Sequence, residues 1–200
     1  MTNFKDLNRM VTEFNKIIAM ASSTGGTEAL EKIFRALPVD VPPVVVVQHM
    51  PSGFTKLFAD RLNANHALEI KEAADGDYLM KGRVLLAPAD YHMKLVRQCG
   101  KLGVRCFTGT KVHGVMPAAD VLFESVADIS RKNAVGVVLT GMGADGARGL
   151  MMMHSQGAKT IGQDKASCVV YGMPKVAKDI GAVDFELPLD QIANKIKMLI

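Results

Sequence analysis

The stretch K-I-I-A-M-A-S-S-T-G-G, residues 16–26, decides the architecture. After Lys16 the run is apolar with no polar interruption, the pattern of a strand buried on both faces, and small residues with paired glycines follow at once. Residues 27–37 then place Leu30, Ile33, Phe34 and Leu37 on one helical face. Pro38, Pro42 and Pro43 close that helix and lead into a second buried strand, V-V-V-V at residues 44–47. Residues 54–62 predict another helix, with Phe54, Leu57, Phe58 and Leu62 as its apolar stripe. A third buried strand, A-V-G-V-V-L at 134–139, lies between helices at 120–129 and 146–154. Thr160 and Ile161 form a late strand, and two C-terminal helices follow Pro174 and Pro188. Residues 69–108 differ: short alternating runs at 83–87 and 92–96, with Gly100 and Gly103 as turn residues, predict antiparallel strands. The fold class is α/β, a doubly wound, mostly parallel sheet with helices on both faces and an antiparallel hairpin addition.

Composition narrows the function classes. With 200 residues the chain makes one domain with a sizeable core, and 48% hydrophobic against 22% charged residues excludes wholesale disorder. The apolar runs stop far short of a membrane span, and the charged N-terminal segment lacks the apolar core of a signal peptide. Cys99, Cys106 and Cys168 are odd in number and form no C-x-x-C pair, which suits a reducing cytoplasm and argues against a disulfide framework. No two of the five histidines stand three or four residues apart, so spacing supplies no metal site. Net charge is +4, yet Lys94, Arg97, Lys101, Arg105 and Lys111 fall in one stretch without an acid, leaving −1 for the rest. That stretch is either a solvated hairpin or a docking surface for an acidic partner; no nucleic-acid motif accompanies it.

In open α/β sheets ligands bind beyond the carboxyl ends of the strands. Three such ends carry reactive groups: Ser22 and Ser23 after the first strand, His49 after the second, and Asp145 in T-G-M-G-A-D-G after the third. A hydroxyl, an imidazole and a carboxylate are the parts of acyl-transfer catalysis. Ala21-Ser22-Ser23-Thr24-Gly25 is a nucleophile elbow, G-x-S-x-G, with alanine in the leading place. Each residue also has a plainer reading. Ser23 to Gly26 would serve as a tight turn or a phosphate cradle, His49 as a structural histidine, and Asp145 as a turn residue or helix cap.

Four blocks carry a resemblance: I-I-A-M-A-S-S-T-G-G-T-E-A-L (17–30), V-V-V-V-Q-H-M-P-S-G-F-T-K-L-F-A-D-R-L-N (44–63), A-V-G-V-V-L-T-G-M-G-A-D-G-A (134–147) and A-S-C-V-V-Y-G-M-P (166–174). In this order they resemble the catalytic domain of the chemotaxis protein-glutamate methylesterases, CheB, from about Lys16 to Gly181. The resemblance implies a catalytic domain over 16–200, preceded by an extension or linker over 1–15. It implies Ser23 as nucleophile, His49 as general base and Asp145 as carboxylate, with Thr24 and Met142 as oxyanion or substrate-binding residues. The implied activity removes methyl groups from glutamate γ-esters on chemoreceptors, and in some members deamidates receptor glutamines, with no cofactor and no metal. Implied partners are the cytoplasmic helices of methyl-accepting receptors and a separate receiver or regulatory domain, in the cytoplasm, with neither nucleic acid nor membrane insertion.

Three departures bear on the carry-over. Ala21 replaces the elbow's first glycine; the turn either tolerates the methyl or is crowded by it, and in the second case Ala21→Gly would raise kcat. Ser22 replaces the family's usual alanine and introduces a rival hydroxyl. Met116 and Ala118 flank Pro117 where a basic residue and a serine are typical. Two readings from other classes stay open beside the esterase: a phosphate- or nucleotide-binding module, and a non-catalytic adaptor of the same fold.

Overall fold

The structure is a computed structural model that describes residues 14–200. Of the extension or linker assigned to residues 1–15, all but the last two residues lie outside the described part. The chain runs β1 (Ile17–Ser22), α1 (Gly26–Ala36), β2 (Val44–Gln48), α2 (Phe54–Asn65), β3 (Glu69–Glu72), β4 (Arg83–Leu86), β5 (His92–Gln98) and β6 (Lys101–Phe107). It continues with α3 (Ala119–Ser130), β7 (Ala134–Val138), α4 (Ala147–Ser155), β8 (Lys159–Gln163), α5 (Met173–Asp179), β9 (Phe185–Leu187) and α6 (Leu189–Leu199). Seven strands form one parallel sheet in the order β3-β4-β2-β1-β7-β8-β9, and β5 with β6 form a separate antiparallel hairpin.

The central strands are buried along their whole length, as their unbroken apolar runs require. On one face Ile18, Met20, Val44 and Val46 pack with Leu30, Ile33 and Phe34 of α1, Phe58 and Leu62 of α2, and Ile192 and Ile196 of α6. On the other, Ala19, Ala21, Val45 and Val47 pack with Leu122, Phe123 and Val126 of α3, Leu150 of α4 and the hairpin's Met93 and Leu95. Among the described residues no helix is long and apolar enough to cross a membrane. The chain winds outward from β1 toward β2 on one side and from β7 toward β8 on the other. The crevice at this reversal, beyond the carboxyl ends of β1 and β7, is where such sheets bind ligands.

Three local expectations are corrected. First, β3 and β4 belong to the parallel sheet, and only residues 92–107 form the antiparallel addition. Glu-Ile-Lys-Glu of β3 alternates because it is an edge strand, with Glu69 paired to Arg83 of β4 at 2.6 Å. Second, Phe54 and Leu57 of α2 are exposed, at 55% and 65%; the buried stripe is Thr55, Phe58, Ala59 and Leu62.

Third, Ala21 lies within β1, paired with Val47 and Val138, and its methyl is fully buried in the core before the turn begins. Ala21→Gly should therefore destabilise, by about 1–2 kcal/mol from the lost methyl and the freer unfolded backbone. Urea denaturation measures this, and a higher kcat at unchanged stability would restore the crowded-turn reading.

Candidate active site

The sheet's hydrogen bonding carries on past the strand ends. Ser23 N donates to Thr140 O at 3.0 Å and His49 N donates to Ser22 O at 3.1 Å, so the ends of β7, β1 and β2 stay in line. Ser22 and Gln48 are register partners, which puts Ser23 and His49 on the next rung, roughly 4.8 Å apart at the backbone. Successive side chains of a strand point to opposite faces, and this separates the two serines. Ser22 is buried, and its hydroxyl donates to Gln48 Oε1 at 2.6 Å; Ser23 is half-buried and its hydroxyl makes no hydrogen bond among the described residues. The rival hydroxyl is occupied.

His49 Nε2 lies 2.8 Å from Asp145 Oδ2. The same oxygen accepts Ala119 N at 2.7 Å, while Oδ1 accepts Asp120 N at 3.0 Å. These two amides open α3, whose N-cap position holds Ala118 and so has no capping side chain of its own. Asp145 therefore caps α3 and bonds a histidine at once, so the cap and triad readings of this residue do not exclude each other. Burial pushes the Asp145 carboxyl up, but the His49 bond and the two amides outweigh it and hold the group below the ordinary carboxylate range. It is an anion, and it fixes the proton on Nε2. Nδ1 is left as the basic nitrogen, the reverse of the serine-protease arrangement.

Buried amides and hydroxyls brace the rest of the edge. Gln48, 2% exposed, donates through Nε2 to Ser23 O at 3.0 Å and to His49 O at 2.9 Å. Gly26 is required beside it, because a Cβ there would overlap Gln48 Oε1 and fall 2.7 Å from Ser22 Oγ. Thr140 Oγ1 donates to Thr24 O at 2.9 Å and accepts from Val170 N at 3.0 Å; Thr140 N donates to Gln163 Oε1 at 2.9 Å. The Gly-Met-Gly turn is held by Gly141 N to Val170 O (3.0 Å) and Met173 N to Gly141 O (2.8 Å). This close approach explains Gly172, whose Cβ would fall 2.6 Å from Gly141 O. Met142 is 76% exposed and Thr24 is exposed, and the backbone N–H of neither makes a hydrogen bond among the described residues. Gln48, Thr140 and Gln163 were missed in the sequence, although a polar residue closing each buried strand was the available signal.

Beside His49 opens a cleft of about 340 Å³ lined by Met50, Pro51, Asp90, Lys111, Val115 and Met116 among others. Met116 thus stands on the wall of the cleft, whereas Ala118 is buried and donates its N–H to His92 Nδ1 at 3.2 Å. Behind Asp145, buried Asp120 accepts Gly149 N at 2.7 Å and pairs with His113 Nε2 at 2.8 Å. Ligand atoms of His113, Asp120 and Asp145 lie within 4.8 Å of one another, but protein N–H groups already occupy both carboxylates. Burial pushes the Cys106 thiol up to about 12 and that of Cys168 up to about 11, so neither is a thiolate nucleophile. Of the basic stretch, Lys111 lines the cleft beside His49, while Arg97 lies at the opposite edge with Lys16 and Ile17.

Comparison with known proteins follows the same residues. The family model described as CheB methylesterase matches residues 18–196. A protein-glutamate methylesterase/protein-glutamine glutaminase of Sulfurimonas denitrificans is 54% identical over 186 residues, 93% of this chain and 53% of that protein. One from Syntrophomonas wolfei, numbered 2, is 52% identical over 184 residues, 92% of this chain and 54% of its own length. The chain thus spans about half the length of the curated relatives it matches. The crystal structure of the Thermotoga maritima CheB methylesterase catalytic domain superimposes with a TM-score of 0.91 at 41% identity, covering 94% of this chain and all of that one. A match that runs through every strand end described above, in sequence and in fold, makes this chain a member of the CheB methylesterase family.

Proposed function

We propose that residues 16–200 form a methylesterase catalytic domain acting on glutamate γ-methyl esters of chemoreceptors in the cytoplasm, and on receptor glutamines as a second substrate. The observation that carries this reading is the bond from His49 Nε2 to an Asp145 carboxylate held by two helix amides, with His49 on the same rung as Ser23. His49 Nδ1 takes the Ser23 proton as Oγ attacks the γ-carbonyl carbon, and the oxyanion falls to the N–H groups of Thr24 and Met142. The C–O bond to the methoxy group breaks, and the proton on Nδ1 leaves with methanol. Water, deprotonated by the same nitrogen, then cleaves the acyl-enzyme to glutamate and free Ser23. With glutamine the C–N bond breaks instead and ammonia leaves. Every proton and electron pair is accounted for by side chains and water, so no cofactor is drawn on. A phosphate cradle would have no use for the His49–Asp145 pair, and an adaptor would have none for an unoccupied Ser23 hydroxyl. The partners under this reading are receptor helices and a receiver domain.

Ser23→Ala and His49→Ala should each abolish methanol release from methylated receptor fragments while leaving the fold intact, whereas Ser22→Ala should not abolish it. Asp145→Asn should lower kcat by about 10⁴-fold through loss of the tautomer. Full turnover in Ser23→Ala would sink the assignment.

The charge of Asp145 has its own signature. Its folded carboxyl lies below the ordinary value, so the unfolded chain binds this proton first as the solution is acidified. The stabilisation is complete above about pH 4 and is lost as pH falls through the folded value. The Tm gap between wild type and Asp145→Asn should therefore be widest near neutrality and close below about pH 4. A gap that does not change with pH would mean that a neutral carboxyl makes these bonds.

Lys111, at the cleft, should assist acidic substrates more than the hairpin tip does. Lys111→Gln should lower kcat/KM for an acidic glutamyl-ester peptide at low salt, spare an uncharged ester, and converge with wild type as salt screens beyond roughly 10 Å. Arg97→Gln should change little; equal losses in both variants would instead support docking along the whole hairpin.

A further inference from the structure

Gln48 closes β2 in the middle of the buried edge, and its side-chain amide spends both of its protons on the carbonyl oxygens of the nucleophile and base residues. Its own oxygen accepts the Ser22 hydroxyl. Since the two carbonyls can only accept while the hydroxyl can also donate, the amide's orientation is fixed, nitrogen toward the two carbonyls and oxygen toward Ser22. A buried amide satisfied on three sides has no alternative arrangement of similar energy.

The consequence lies in the peptide planes. The peptide joining Ser23 to Thr24 is planar and trans, so its N–H points directly away from its carbonyl. The Ser23 carbonyl is held by Gln48 Nε2 at 3.0 Å and by Gly26 N at 2.8 Å. Holding the oxygen on that side aims the Thr24 N–H to the other, and two donors on one carbonyl polarise the peptide so that this N–H donates more strongly. The same Nε2 fixes the His49 carbonyl, while His49 N is held by Ser22 O. One side chain thus sets both the spacing of nucleophile to base and the aim of an oxyanion donor.

We infer that Gln48, anchored by Ser22, is a positioning residue for acyl transfer: it pre-organises the Ser23–His49 pair and the Thr24 N–H through their backbones without touching the substrate. The inference rests on Ser23 and His49 acting as nucleophile and base. It also gives Ser22, which stands where the family's usual residue is alanine, a role of its own in this chain. The amide lies on the buried side of the edge, so its loss acts on the transition state more than on substrate binding.

The test measures kcat and KM on a small uncharged glutamyl γ-methyl ester, the rate of Ser23 labelling by a fluorophosphonate, and Tm. In labelling, Ser23 Oγ bonds to phosphorus, fluoride leaves and His49 takes the proton, so the rate reads the nucleophile and base without the natural substrate. Gln48→Met, which keeps the volume and removes both donors, should lower kcat and the labelling rate by about 100-fold, the cost of a misplacement near 1 Å. KM should stay within about twofold. Ser22→Ala should lower kcat about threefold, and the Ser22→Ala/Gln48→Met pair should be no slower than Gln48→Met alone, because the hydroxyl acts only through the amide. Should Gln48→Met not fold, Gln48→Asn carries the test, since its shorter amide stays polar but falls short of the two carbonyls. Wild-type kcat in a folded Gln48 variant, a loss confined to KM, a rate that merely tracks the unfolded fraction, or additive losses in the double variant would each overturn the proposal. Ser23→Ala run in parallel separates the two levels. If it is still labelled or active, the nucleophile reading fails; if it is inert while Gln48 variants are unaffected, only the positioning role fails.

Discussion

The rest of the site depends on a buried negative charge. The Asp145 carboxylate is almost fully enclosed, and a carboxylate so placed is tolerable only if its lone pairs are met by donors. Two of those donors are the first amides of α3, which has no capping side chain at its start. Helix and carboxylate therefore complete each other: without Asp145 the end of α3 is left with orphan amides, and without α3 the anion has only His49. This explains the detour of the chain through the hairpin. β5 packs against α3, and the segment after β6 returns the start of that helix to the carboxyl edge of the sheet. The hairpin's basic residues sit on an element whose first task is to deliver two N–H groups.

How much of this was legible follows from where each constraint is local. Val44 to Val47 and Ala134–Val138 are buried on both faces, and a stretch so placed is most readily written in apolar residues, so β2 and β7 could be read directly. β3 could not, because Glu69 and Lys71 of an edge strand alternate with buried Ile70 as an antiparallel strand would. Val84 to Leu86, buried in succession, were the sign that β4 belonged to the parallel sheet. Phe54 and Leu57 fit a helical stripe but face solvent, while Thr55 and Phe58 of the same turns face the core, so periodicity alone misassigned them.

The candidate triad was legible because each member follows a strand end. Its supports were not, for a physical reason: they join residues that only the sheet brings together. Ser22 and Gln48 are 26 positions apart and Thr140 and Gln163 are 23 apart, yet each pair shares a hydrogen bond on adjacent strands. The meaning of Ser22 was hidden in the same way. As a sequence neighbour of Ser23 it looked like a competitor, whereas the alternation of the strand turns it toward Gln48 and away from the reacting side.

Rigidity is therefore unevenly distributed around Ser23. Its backbone side is wired by Gln48, Thr140 and Gln163, all buried and hydrogen-bonded, while the cleft beside His49 is walled by Met50, Val115 and Met116. Methionine side chains adapt to the shape set against them, so this wall constrains where the substrate backbone lies less than where its carbonyl must go. Under the proposed chemistry that division suits an enzyme for which the ester and the amide of one side chain are both substrates. The attacked carbon, its oxyanion and the acyl-enzyme that forms are the same for both, and they face the rigid side. Only the leaving group differs, methanol or ammonia, and either takes its proton from the one basic nitrogen that Asp145 leaves open on His49. Ammonia is the poorer leaving group and depends more heavily on that proton, so in the proposed mechanism the firmness with which the imidazole is held weighs more on the amide than on the ester.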